Sequence, residues 1–217
     1  MRRKDSLLIM LFLMLFFNGC SQTQNKSNFE LDYEQCRKNF NKELVDHFPE
    51  KMNSSDHSGY TCKTNEKKSN FGLLLYEYGV SLENIKLIEN NAKSKAISKY
   101  NSSDSYLLIV NRFETRETLN NNEIPEISNM NLVKRSCNEG KFPVPNFVDY
   151  ENYNIANETR LGKGFDLYVF EAKPDYNYGH SELESNPQMP EKWKNGYSKG
   201  IAINKEKGTV IYWGIIW

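Results

Sequence analysis

The stretch Gly200-Ile201-Ala202-Ile203-Asn204-Lys205-Glu206-Lys207-Gly208-Thr209-Val210-Ile211-Tyr212-Trp213-Gly214-Ile215-Ile216-Trp217 closes the chain and decides how it folds. Residues 200–204 and 209–217 read as two β-strands. The polar run Lys205-Glu206-Lys207-Gly208 joins them, and Gly208 supplies the positive φ that a tight hairpin needs. Side chains alternate between the faces of a strand. Val210, Tyr212 and Ile216 therefore share one face, and Ile211, Trp213, Ile215 and Trp217 share the other. Both sets are apolar, and a strand apolar on both faces belongs inside a sheet or between layers.

Upstream, residues 165–172 form another strand with apolar side chains on both faces, which again predicts an interior position. Between these strands lies residues 173–199, a long polar segment that carries Tyr176, Tyr178, His180, Trp193 and Tyr197 and is stiffened by Pro187 and Pro190. Rigid aromatics on loops are recurrent material of recognition surfaces. Tyr176, Tyr178 and Trp193 are the candidate ligand-binding residues on that ground. The competing reading folds the same aromatics back over the sheet edge as packing. Glu182 and Glu184 lie nearby, but nothing in their spacing sets two carboxyls across a cleft as a glycosidase requires.

Towards the N-terminus, residues 31–48 read as an amphipathic helix, with Tyr33, Cys36, Phe40, Leu44 and Phe48 on one face and Pro49 as its stop. Residues 50–70 are polar and read as a loop. Residues 71–78 form a strand ended by Gly79. Ser81 is an N-cap for a second helix whose apolar face carries Leu82, Ile85, Ile88, Ala92 and Ala96. Residues 106–110 read as a further strand, so a β-α-β unit is available here, with the sense of pairing left open. The middle is irregular: a turn at 120–122, a strand at 132–137, breaks at Pro143 and Pro145, and an aromatic stretch over 147–153. No internal repeat is present. The fold class is α+β: a mixed or mainly antiparallel sheet packed by about two helices, closed by the C-terminal β-hairpin, in a single domain over residues 30–217.

Composition narrows the function classes. Lys and Arg number 28, as do Asp and Glu, so no basic excess points to nucleic acid. Mean hydropathy is −0.72, polar for a globular chain. The 13 Tyr, 12 Phe and 3 Trp offset this, because each buries a large area and the core can be built from fewer, bigger side chains.

Motifs that carry chemistry are missing. The chain has no G-x-S-x-G, H-E-x-x-H, Walker loop or EF-hand spacing. Arg160-Leu161-Gly162-Lys163-Gly164 lacks a third glycine and leads into a strand, so it reads as a turn. Ser55-Asp56-His57-Ser58 holds residue types of nucleophilic catalysis, but neighbours in one polar loop do not converge as a triad must. His47 falls near a helix C-terminus, where the dipole favours a charged imidazole. No cofactor and no metal site are expected. Besides Cys20 the chain has Cys36, Cys62 and Cys137. Three disulfide pairings are open. A bond involving Cys62 is favoured because it would tie a polar loop, and Cys36 on its apolar helical face reads as a small buried residue. No C-x-x-C supports thioredoxin-like chemistry.

The first twenty residues read differently from the rest. Met1-Arg2-Arg3-Lys4 is a positive cluster, and residues 7–17 are an apolar run of about eleven residues, where a permanent bilayer span needs about twenty. Phe17-Asn18-Gly19-Cys20 follows, and it resembles the lipobox of bacterial lipoproteins. The resemblance implies a signal peptide over residues 1–19, cleavage before Cys20, and lipidation of the Cys20 thiol, with palmitate-type acyl chains holding the mature protein in a membrane. Residues 20–29 then read as a polar tether. In Gram-negative sorting, the absence of Asp after the cysteine (Ser21 stands there) implies the outer membrane. The patterns Gly196-Tyr197-Ser198-Lys199-Gly200 and Ile211-Tyr212-Trp213 also resemble uncharacterised Gram-negative lipoproteins, which carry no known activity. The functional expectation is a lipid-anchored protein of the cell envelope whose domain is a non-enzymatic binding module for a protein or carbohydrate partner. The alternative is an envelope hydrolase whose site assembles only in three dimensions.

Overall fold

The computed structural model describes residues 28–53, 57–64, 71–104, 107–110, 138–147, 161–179, 183, 185–186 and 189–217. The leader, Cys20 and the tether up to residue 27 lie outside the described residues. So do Cys137, His180, Pro187 and the elements expected at 120–122, 132–137 and 148–153.

The elements in chain order are α1 (Asn28–Lys38), α2 (Lys42–Val45), β1 (Ser58–Lys63), β2 (Phe71–Glu77), α3 (Leu82–Lys95), β3 (Ser98–Asn101), β4 (Asp166–Pro174), a 3-10 turn (Glu191–Trp193), β5 (Gly196–Asn204) and β6 (Thr209–Ile216). The strands form a six-stranded sheet in the order β1-β2-β6-β5-β4-β3. Every pairing in it is antiparallel. The architecture is α+β, and β5 and β6 form its hairpin.

The closing hairpin sits at the middle of the sheet. All residues of β5 and β6 are buried. Gly208 adopts φ 65° in the turn. The two apolar faces of β6 serve two separate cores. Val210, Tyr212 and Ile216 join Leu73, Leu75, Ile201 and Ile203 beneath the helices. Ile211, Trp213, Ile215 and Trp217 join Leu167, Val169, Phe147 and Trp193 on the opposite face, under the segments 107–110, 142–147 and 161–165. Burying an aliphatic or aromatic side chain of this size contributes about 1.5–3 kcal/mol, so a two-faced strand anchors both layers at once.

Five expectations are corrected. The helix over 31–48 is two helices, because the chain leaves helical geometry after Lys38 and restarts at the N-cap Asn41, whose side chain accepts from the Glu43 N–H. Its apolar positions Tyr33, Cys36, Phe40, Leu44 and Phe48 are nevertheless all buried. Part of the polar loop over 50–70 is strand β1, paired along β2 from Ser58↔Glu77 to Lys63↔Gly72. The strand after α3 is β3 at Ser98–Asn101, and residues 107–110 contribute only an isolated parallel bridge, Ile109 to Val144. The β-α-β pairing does not form: β2 and β3 run in the same direction, but β6, β5 and β4 lie between them, and α3 crosses the sheet on the way. Last, Cys36 is buried as expected but is not free, and Cys62 is bonded as favoured. The disulfide between them, with Cα atoms 6.3 Å apart, ties α1 to the edge strand β1.

Candidate functional site

β4 carries a register shift between Val169 and Glu171. A bulge inserts one residue and re-aims the side chains around it. Here Phe170 and Glu171 both reach the helix side of the sheet: Phe170 packs against the helix-side core, and Glu171 pairs with Lys199 of β5.

Lys199 is the centre of a polar cluster. Its side chain is 10% exposed. Its Nζ donates to the Glu43 carbonyl of α2 and lies 3.3 Å from Asp46 Oδ1 and 3.4 Å from Glu171 Oε2. Glu171 also accepts from the Tyr197 hydroxyl at 2.6 Å and pairs with Lys173 at 2.9 Å. Burial alone would raise the Glu171 pKa, but the Tyr197 hydroxyl and the two ammonium groups outweigh it and hold the carboxyl below its usual range. Asp46 is held at about 2, through its proximity to His47 first and Lys199 after it.

His47 adjoins the cluster. Its side chain is 3% exposed, and Nε2 lies 3.1 Å from the Gly200 carbonyl and 2.9 Å from that of Trp213. Both neighbours only accept, so Nε2 carries the proton. Nδ1 is buried with no hydrogen-bond partner, and Asp46 Oδ1 at 3.6 Å is too far to serve as one. Burial lowers the His47 pKa despite Asp46, so the expectation of a charged imidazole at a helix end is corrected. A cleft of about 150 Å³ lies beside it, between Phe48, Ile88, Lys95 and Phe170. Among the described residues its lining holds no Ser, Thr, Cys, Asp or Glu.

The candidate aromatics separate. After β4 the chain turns through Asp175 at φ 56° and Tyr178 at φ 50°, two non-glycine residues in left-handed geometry. The Asp175 N–H donates to Asn195, and the Gly179 N–H to the Asn177 side chain, which fixes the turn. This brings Tyr176 and Tyr178 onto Tyr197. Ring centroids are 4.8 Å apart for Tyr176–Tyr178, 5.4 Å for Tyr176–Tyr197 and 4.8 Å for Tyr178–Tyr197. At such separations the rings pack on one another and leave no room for a ligand among them. The open surface is the outer side of Tyr176, which is 45% exposed. Tyr178 is half-buried, and burial pushes its pKa up to about 12. Tyr197 is buried at the base, its pKa raised by burial and by donation to Glu171. Trp193 is elsewhere: it is 5% exposed in the opposite core, against Trp217 and Phe142, and its carbonyl accepts from the Trp217 indole at 2.6 Å.

A second buried charge sits on α3. Glu89, 6% exposed, accepts from the Tyr168 hydroxyl at 3.0 Å and pairs with Lys93 at 3.1 Å and Lys205 at 2.7 Å. Burial would raise its pKa, but these partners hold it at about 2. Neither Glu89 nor the Lys199 cluster was singled out in the sequence. The signal was there: Lys199 falls in alternation with Tyr197, Ile201 and Ile203, and Glu89 falls four residues after Ile85, both on core-facing positions. Among the described residues no group of three or more His, Cys, Asp or Glu could hold a metal ion. Comparison of the chain with protein-family models, curated proteins and solved structures finds no match.

Proposed function

We propose that this chain is a lipid-anchored protein of the cell envelope, held through Cys20, whose domain binds a protein or carbohydrate partner without catalysing a reaction on it. The observation that carries the binding part is the tyrosine platform. Tyr176 presents an aromatic surface on a turn fixed by two left-handed residues, and Tyr178 and Tyr197 support it from below. Left-handed non-glycine residues cost of order 1–3 kcal/mol and cluster where a binding surface is held in shape. Lys173 and Glu171 beside the platform add a charged pair for polar contacts. The Cys36–Cys62 disulfide supports an exported, oxidising location.

The hydrolase alternative draws no comparable support. His47 spends Nε2 on main-chain carbonyls, and among the described residues the adjoining cleft offers it no hydroxyl of Ser or Thr, no thiol and no carboxyl. The test is retention of wild-type and Tyr176→Ala protein on immobilised envelope glycans and on envelope protein fractions. Saturable retention by one of them, weakened about tenfold or more in Tyr176→Ala with far-ultraviolet dichroism unchanged, supports the platform. Equal retention of the two proteins removes it.

A further inference from the structure

The N-terminal helices build a face that the tyrosine platform does not use. An open cleft of about 520 Å³ lies along α1, α2 and the segment after Pro49. Phe40 and Val45 form its apolar floor. Arg37, Lys38, Lys42 and Lys51 line it, against only Glu34 and Glu50. Lys38, Lys42 and Lys51 are exposed. The chain as a whole carries no net charge, so four cations against two anions is a local excess. Leu31, 47% exposed, lies seven residues before Lys38 and therefore on the same flank of α1. Basic side chains beside an exposed aliphatic are the composition of surfaces that rest on a membrane interface.

We infer that this basic face of α1, α2 and residues 50–51 docks on the anionic headgroup surface of the bilayer that holds the Cys20 lipid. The inference rests on the anchor proposed above. The length of chain before α1 chooses this occupant over others. Only seven residues separate Cys20 from Asn28, where α1 begins. Seven residues span at most about 28 Å in any conformation. α1 itself is about 16 Å long. The cleft is thus kept within a few Debye lengths of the headgroups, and each thermal approach presents the same charges to them. Tethering makes the contact intramolecular, so weak charge attraction suffices to orient the domain. The tether then positions the domain against the bilayer instead of merely holding it away.

The test uses lipidated full-length protein reconstituted into vesicles of phosphatidylethanolamine with phosphatidylglycerol, or of phosphatidylcholine alone. Lysine acylation is read by mass spectrometry. Lys38, Lys42 and Lys51 are expected to react about fivefold more slowly on the anionic vesicles, and about 0.5 M salt should erase the difference. Lys86, exposed on α3, should react equally on both. In the double variant Lys42→Glu, Lys51→Glu the slowing at Lys38 should disappear. Equal reaction on both vesicles overturns the docking. So does slowing of the same size on neutral vesicles, or slowing by inorganic phosphate without vesicles, which would assign the cleft to a soluble anion. Failure of the anchor reads differently: flotation with the vesicles would then be unaffected by Cys20→Ala, and the inference would fall with it.

Discussion

At the scale of single residues, the buried charges make the sharpest predictions. His47 has a folded pKa below its ordinary value because burial disfavours the imidazolium. The unfolded chain takes up a proton below about pH 6.5 that the folded chain refuses, so stability is full above that pH and falls as pH drops below it. Glu77, only 2% exposed, is raised by burial and acts in the opposite sense above its ordinary range. The comparison with His47→Gln isolates the histidine: urea midpoints measured from pH 8 to 5 should fall more steeply for wild type than for the variant, and parallel curves would refute this role of His47. Glu89 lies lower, at about 2. Its contribution is present above the ordinary carboxylate range and is lost as pH falls from about 4.5 towards 2. Glu89→Gln should cost about 1–3 kcal/mol at pH 7, read from the denaturant midpoint, and should flatten that acid limb. Both Lys199 and Glu89 occupy core-facing positions that alternation and helical period identify in the sequence. The helical partners of Lys199 were not legible there, because Glu43 and Asp46 lie more than 150 residues away in the chain, whereas Lys93 stands one helical turn from Glu89.

β6, β4 and α3, which bury apolar side chains at a regular spacing, were read correctly apart from Leu82, which is 65% exposed, and the elements held by pairing were not. β1 is half-buried along its whole length, so it has no apolar pattern to read, and it exists because β2 offers it a register. β3 has only four residues and one buried side chain. The break between α1 and α2 follows from tertiary packing that keeps both apolar stripes on one sheet face. Two predictions belong to this scale. The Cys36–Cys62 bond closes a separation of 26 residues, which in the chain-entropy account contributes about 3–4 kcal/mol. Cys36→Ser with Cys62→Ser should lower the denaturant midpoint accordingly, and an unchanged midpoint would mean that α1 docks without the tie. Gly214 lies where α2 crosses β6, and a Cβ there would sit 2.8 Å from the Leu44 carbonyl and 3.1 Å from its side chain. Gly214→Ala should therefore displace α2 and weaken the hold of Glu43 and Asp46 on Lys199. A loss of about 1–3 kcal/mol is expected by thermal unfolding. Unchanged stability would show that α2 shifts freely.

For the whole molecule, one sheet carries two cores, and both proposed contact surfaces are built on the helix-side core, the platform on Tyr197 and the basic cleft on Phe40 and Val45. The fold class was legible because two-faced apolar strands have few solutions. The arrangement of the candidate aromatics was only half legible. Tyr176 and Tyr178 stand together on one turn, whereas Trp193 entered the opposite core, where an indole contributes more by packing than at the surface. A loop's aromatic content does not say which rings turn inward. The proposed anchor rests on its sequence motif alone, and the account of the molecule as a tethered envelope domain depends on it. Metabolic labelling with an alkyne-bearing fatty acid, comparing wild type with Cys20→Ala, tests it most directly. The account predicts label and membrane fractionation in wild type and loss of both in the variant; equal labelling of the two proteins, or none in either, would contradict it.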